Sequence, residues 1–366
     1  MSKIENPTAS PPATEDLNVA AFECMPTPRR LKERLPLPAA AAQNVLDARR
    51  AVSRILDRQD ERLFVIVGPC SIHDPRAALD YAQRLLHLAK QVEKHLFVIM
   101  RVYFEKPRTV SGWKGFINDP RMDDSFHIEE GIGRARELLL DLARLGMPAG
   151  TEALDPISPQ YLGDLIAWYA IGARTSESQT HREMASGLSA PVGFKNATDG
   201  NTGVAINGIR SAREPHSFLG ITPEGAPAIV RTRGNSYGHV VLRGGQSPNY
   251  DTAQVTLTEQ ELVQAGLRPN LVIDCAHANS LKKPELQPLV FRDCIHQIIE
   301  GNSSIVGLML ESNIVAGNQP IPEDKSGLIY GCSVTDPCIG WETTAKLIRD
   351  SAVAVAPALR SRARPA

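Results

Sequence analysis

Short apolar runs recur along the chain and alternate with longer amphipathic segments. Eight of the runs fall at 64–70, 97–103, 147–153, 168–174, 191–196, 239–245, 271–277 and 305–312. They are rich in β-branched residues and lack strict polar alternation, which is the pattern of strands covered on both faces in a parallel sheet. Between them, 75–94, 129–146, 258–266, 284–301 and 341–359 repeat apolar positions at helical spacing and supply crossovers. Eight β units joined by helices predict an α/β fold closed as a (β/α)8 TIM barrel, in preference to an open doubly wound sheet.

The pattern also divides the chain. Residues 1–15 are rich in Pro, Ser, Thr and Ala without apolar periodicity and read as a disordered tail. Residues 16–62 form an N-terminal extension for assembly or regulation, in which Val45, Ala48, Val52, Ile55 and Leu56 share one helical face. The catalytic barrel is expected over 63–366, interrupted at about 197–237 by GVAINGIRSARE and GAPAIVRTRG, which read as an inserted β excursion.

Composition narrows the function. Forty Lys and Arg against 41 Asp and Glu leave a formal charge of -1, so there is no electrostatic case for nucleic acid. Every apolar run is far shorter than the roughly 20 residues that cross a bilayer, so no membrane association is expected. The first residues contain no apolar signal segment, which predicts a cytoplasmic enzyme whose six cysteines are thiols.

Chemistry concentrates where the strand candidates end, at Cys70, Arg101, Glu152, Arg174, Lys195, Arg243, His277 and Glu311. In a TIM barrel these ends converge on one mouth, whereas a purely structural role would favour apolar or turn-forming residues there. Cys70, His277 and Glu311, with Asp336 in the loop beyond the eighth strand, offer one thiolate, one imidazole and two carboxylates. Taken singly, a buried Cys or a core-edge His is the blander reading. As a set, they suit one divalent metal ion acting as a Lewis acid, and Mn, Fe, Co and Zn all tolerate such ligands. Arg101, Lys106, Arg108, Arg174, Lys195 and Arg243 follow buried strands too closely to be scattered surface charge, and they predict phosphate or carboxylate groups bound near the metal. The LRGG run at 242–245 is equally a phosphate nest or a turn, Trp113 in GWKGF is compatible with plain loop packing, and neither a GxGxxG nor a P-loop pattern is present.

Read in order, VGPCSIHD, MRVYFEKPRT, GWKGFINDP, GTEALDP, GARTSESQTHRE, GFKNATDG, VLRGG, DCAHANS, MLESN and SVTDPCIGW resemble the type I 3-deoxy-D-arabino-heptulosonate 7-phosphate (DAHP) synthases from about Asp16 to Leu359. The resemblance implies metal-dependent condensation of phosphoenolpyruvate with D-erythrose 4-phosphate and water, giving DAHP and phosphate, the first step of the shikimate pathway. It implies that Arg174, Lys195 and Arg243 grip the phosphate of phosphoenolpyruvate and that Arg101 and Lys106 reach its carboxylate. Lys106 would also serve in proton transfer, Arg108 and Thr109 would hold the aldose phosphate, and Glu152 and His277 would manage the attacking water. It further implies a homodimer or homotetramer with feedback inhibition by an aromatic amino acid, at a site including Asp16, Pro159, Gln160, Leu188, Ser189, Phe218 and Gly220. Gly220 matches the tyrosine-sensitive pattern, so tyrosine is the favoured effector.

Three other readings compete with this one. A Schiff-base aldolase using Lys195 needs no metal, and the Cys/His/Glu/Asp set argues against it. A 3-deoxy-D-manno-octulosonate 8-phosphate synthase is disfavoured by KPRT and by the N-terminal extension. A non-catalytic barrel that binds an aromatic amino acid as a regulatory partner leaves the intact metal and anion sets unexplained.

Overall fold

The computed structural model describes residues 14–108 and 112–359. Its centre is a closed barrel of eight parallel strands, namely β1 (Leu63–Gly68), β2 (Leu96–Arg101), β3 (Ala149–Glu152), β4 (Trp168–Ile171), β5 (Val192–Lys195), β8 (Gly238–Leu242), β9 (Leu271–Asp274) and β10 (Ile305–Glu311). Neighbours follow chain order around the ring, and β1 closes it by pairing with β10 from Phe64↔Gly307 to Gly68↔Glu311. The expected apolar runs are these strands, and their inward residues Phe64, Ile66, Ile99, Trp168, Val241, Val272, Val306 and Met309 form one buried cluster inside the ring.

Helices α3 (Pro75–Val92), α4 (Ile128–Leu145), α5 (Ser158–Leu162), α6 (Gln179–Gly187), α7 (Gly203–Arg213), α8 (Thr252–Gln264), α9 (Gln287–Ile299) and α10 (Trp341–Leu359) connect the strands. Local chemistry sets their ends. Asp74 caps α3 by accepting from the Arg76 N–H, with Pro75 in the first turn, and Gly146 ends α4 in a left-handed conformation.

The N-terminal extension folds as α1 (Pro28–Arg34) and α2 (Ala39–Leu56). Val52, Ile55 and Leu56 of α2 join the cluster inside the barrel and so close the end opposite the chemistry. Residues 1–13 of the expected tail lie outside the described residues.

The excursion is narrower than the expected 197–237. Residues Gly203–Arg213 are the helix α7, and only β6 (Ser217–Ile221) and β7 (Pro227–Arg231) form the antiparallel hairpin. The first half resembles β structure because it is rich in glycine and β-branched residues, yet its buried Ala205, Ile206, Gly208, Ile209 and Ala212 keep helical spacing. Gly208 is a contact glycine, since a Cβ there would stand 2.7 Å from the Phe194 ring of β5. The hairpin pairs with itself and not with the barrel.

Candidate active site

The barrel brings the strand ends to one cavity, lined by Arg101, Lys106, Arg108, Glu152, Arg174, Lys195, Arg243, His277, Glu311 and Asp336. Cys70 lies buried against it, two residues beyond β1. Thr109 lies outside the described residues.

Among the described residues, Cys70, Glu311 and Asp336 present ligand atoms within 4.8 Å of one another. His277 Nε2 stands 3.8 Å from Glu311 Oε1, at the edge of that group. One soft thiol, two hard carboxylates and a neighbouring imidazole fit a divalent transition ion. The donor group is already polarised. Cys70 Sγ donates to Asp336 Oδ2 at 3.3 Å and accepts from Lys106 Nζ at 3.0 Å. Burial, reinforced by Glu311, pushes the Cys70 thiol up to about 11, so the thiolate needs a strong local cation. Burial acts the same way on Asp336, but Lys106, His277 and the Cys70 bond outweigh it and hold this carboxyl below its ordinary range.

Arg101 forms the floor. Its guanidinium donates to Pro69 O at 3.1 Å, Cys70 O at 3.2 Å and Glu311 Oε1 at 3.0 Å, and it lies 3.4 Å over the Tyr103 ring. Such saturation locks the arginine and orients the Glu311 carboxylate. Higher in the cavity the cations are less engaged. Arg174 is exposed and makes no ion pair among the described residues. Arg243 has its pKa lowered by burial and by the charge of Arg174, partly offset by Asp274. Two neighbouring guanidiniums that no carboxylate holds in an ion pair among the described residues fit an incoming phosphate.

Asp274, the last residue of β9, is absent from the residues singled out in the sequence. Its Oδ2 sits 2.9 Å from Lys195 Nζ and 2.9 Å from His277 Nδ1. Burial disfavours this carboxylate, but His277 and Lys195 more than compensate and hold it well below the usual range. The imidazole is not aligned for a full hydrogen bond, and His277 occupies a left-handed backbone conformation at φ 56, a strain typical of functional turns. The signal was a charge inside the otherwise apolar LVID strand. Gln287, which carries no motif in the sequence, exchanges hydrogen bonds with the Glu311 backbone at 3.1 and 2.9 Å and braces the end of β10.

None of the seven residues expected to bind an effector lines the mouth. Pro159 and Gln160 lie on α5, Leu188 and Ser189 follow α6, Phe218 and Gly220 belong to β6, and Asp16 is exposed in the extension. The Arg29 N–H donates to Pro223 O at 2.8 Å and its side chain pairs with Glu224, which docks α1 on the hairpin turn.

A model of the DAHP synthetase I family matches residues 39–349. The chain belongs to the DAHP synthetase I family. It is 54% identical over 338 residues to the Tyr-sensitive phospho-2-dehydro-3-deoxyheptonate aldolase of Escherichia coli strain K12, covering 92% of this chain and 95% of that one. Identity to the Phe-sensitive enzyme of the same strain is 51% over 341 residues, or 93% and 97% of the two chains. The structure of phospho-2-dehydro-3-deoxyheptonate aldolase from Francisella tularensis SCHU S4 superposes with a TM-score of 0.90 at 47% identity, covering 93% of this chain and 99% of that one. Both Escherichia coli relatives are named phospho-2-dehydro-3-deoxyheptonate aldolases, which favours the DAHP synthase reading over the octulosonate 8-phosphate synthase.

Proposed function

We propose that this barrel condenses phosphoenolpyruvate with D-erythrose 4-phosphate and water to give DAHP and phosphate, opening aromatic amino acid biosynthesis. The observation that carries this reading is the meeting, at one cavity, of a Cys/Glu/Asp/His donor group with six cations, of which Arg174 and Arg243 make no ion pair among the described residues. Arg174, Lys195 and Arg243 take the phosphate of phosphoenolpyruvate, while Arg101 and Lys106 face its carboxylate. Arg108, with Thr109, holds the aldose phosphate and points the aldehyde inward. Cys70, His277, Glu311 and Asp336 would hold one divalent ion, of the Mn, Fe, Co or Zn type, which supplies polarisation of the aldehyde oxygen. Carbon 3 of the enol ester then bonds to the aldehyde carbon, water adds at carbon 2, and the C–O bond to phosphate breaks. Lys106 lies close enough to the donor group to deliver a proton to the new alkoxide, and Glu152 and His277 flank the cavity from which water reaches carbon 2.

An aromatic amino acid, tyrosine by preference, would act at Asp16, Pro159, Gln160, Leu188, Ser189, Phe218 and Gly220. Relatives named for sensitivity to Tyr, Phe and Trp support an effector of this class. A homodimer or homotetramer fits the apolar side chains left outside, with Leu219 89% and Phe22 81% exposed. No helix of the described residues is long and apolar enough to cross a membrane, and the free thiols suit a cytoplasmic location.

The test is phosphate release from the two substrates by metal-loaded protein, with Lys106→Met as the control. Release that requires the aldose, and is lost in the variant, is the expected result. Turnover without the aldose contradicts the reading.

A further inference from the structure

Behind the mouth lies a second, smaller cleft, lined among others by Phe104, Glu105, Glu152, Ser158, Pro159 and Tyr169. Glu152 borders both spaces, whereas Glu105 borders only the rear one. Glu105 is buried and has no part in the chemistry above. It immediately precedes Lys106, and in extended backbone consecutive side chains point to opposite sides. Lys106 therefore enters the mouth because Glu105 enters the rear cleft.

The segment carrying both residues returns on itself. Glu105 bridges Gly115, the Lys106 N–H donates to Lys114 O at 2.9 Å, and the Ile117 N–H donates to Phe104 O at 3.3 Å. Gly115 makes this possible at φ 107, where any Cβ would collide with the Phe104 and Glu105 backbone. These bonds shape the loop but do not tie it to the barrel. On the mouth side Lys106 Nζ itself reaches Cys70; on the rear side the tie is Ser158, whose Oγ donates to Glu105 Oε2 at 2.9 Å, with Asp155 O as a second acceptor at 3.2 Å.

Ser158 stands on a fixed post. Buried Arg136 donates to Tyr161 O at 2.8 Å and to both Asp164 oxygens at 2.8 Å, and Tyr161 Oη donates to Pro26 O at 2.9 Å. We propose that Glu105 is a positioning residue for the substrate loop, and that the bond it receives from Ser158 fixes Lys106 and Arg108 relative to the barrel mouth. The inference rests on the substrate-binding reading of that loop.

The titratable groups facing Glu105 are Glu152 of β3, Asp155 in the loop after it and Tyr169 of β4. Burial pushes the Glu105 carboxyl up to about 7 against the pull of the Ser158 bond, and Asp155 and Glu152 add to the rise. The ionised form is the stronger acceptor, so the tie tightens as pH rises through neutrality.

Two variants test this in the metal-loaded full chain. Ser158→Ala removes the donor and is expected to raise the substrate KM roughly tenfold, with kcat altered less than about threefold. Wild-type KM is expected to fall between pH 6 and 8, and Glu105→Gln, which keeps an acceptor of the same length but has no proton to lose, is expected to abolish that fall. An unchanged KM in Ser158→Ala, or a lower kcat at constant KM, overturns the proposal. Should Ser158→Ala unfold, the Glu105→Gln profile decides alone, and a wild-type pH profile in that variant overturns it. Wild-type protein that binds neither phosphorylated substrate in calorimetry overturns both this inference and the reading beneath it. Turnover by the wild type together with an unmoved KM in Ser158→Ala sinks this inference only.

Discussion

Asp274 Oδ2 is held 2.9 Å from Lys195 Nζ in a setting where neither side chain has meaningful access to water. Removing that charge leaves a buried ammonium uncompensated, which typically costs about 3–5 kcal/mol. The same oxygen also faces His277, so orientation of a metal-site residue is lost with it. Asp274→Asn is therefore expected to weaken metal binding by roughly 10–100-fold and to lower the unfolding midpoint. Metal titration followed calorimetrically, with a parallel denaturation curve, checks both.

His277 stands at the edge of the donor group, whereas Cys70, Glu311 and Asp336 form its compact part. Chelated protein should lose turnover and regain it with Mn²⁺ or a similar ion. His277→Ala should retain weakened metal binding through the other three donors while turnover is not restored. Elemental analysis beside the activity assay separates these outcomes. Full turnover in chelator-treated, metal-free protein contradicts the metal reading.

Gly220 sits opposite Ala228 in the hairpin, and a Cβ at that position would stand 2.7 Å from Val230 Cγ2. Gly220→Ser must push that valine aside and reshape the half-buried face of the hairpin, which also carries Phe218 and Ala228. Tyrosine inhibition is expected to weaken by a factor within the roughly 5–150-fold range of ordinary allosteric coupling, with uninhibited turnover kept. Inhibition curves for tyrosine, phenylalanine and tryptophan on both proteins measure it. Wild-type protein inhibited only by phenylalanine or tryptophan contradicts the effector assignment.

His239 is buried inside the barrel, accepts from Trp168 Nε1 at 3.0 Å, and is lowered by burial to about 4. A folded-state value below the unfolded one means that unfolding takes up a proton. Stability is then full above about pH 6.5 and falls as pH drops toward 4, by about 3 kcal/mol if the whole shift is expressed. His239→Gln keeps an acceptor for Trp168 without the titration and should flatten that slope. Urea unfolding midpoints between pH 4 and 7 provide the comparison.

Ile55 of α2 lies in the cluster inside the ring, far from the cations. Ile55→Ala is expected to cost about 2–5 kcal/mol of stability while leaving KM unchanged. Equilibrium denaturation alongside steady-state kinetics tests the separation.

The barrel was legible because strands covered on both faces are continuous apolar runs, and the run FVIV in β1 carries that signature on its own. The mouth was legible because a polar residue such as Lys195 at the end of the VGF run has no packing reason to be there. Asp274 was harder to see, since its role depends on two partners, Lys195 and His277, that the fold brings to a single oxygen. Glycine and β-branched residues obscured α7, whose helical spacing became decisive only with Gly208 seated against Phe194. Glu105 reads as one more charge in a basic loop until α5 delivers Ser158 to it.

Because the ring of strands closes on itself, the hairpin of β6 and β7 has no ladder bond to the barrel and is held by its two chain ends and by Arg29 of α1 at its turn. Mechanically it is a handle: bending it breaks none of the pairings that hold the mouth together. Sequence drift in the handle is thereby uncoupled from sequence drift in the mouth. Duplicated copies of such a chain are free to diverge in the signal they answer to while the ring and its chemistry stay the same.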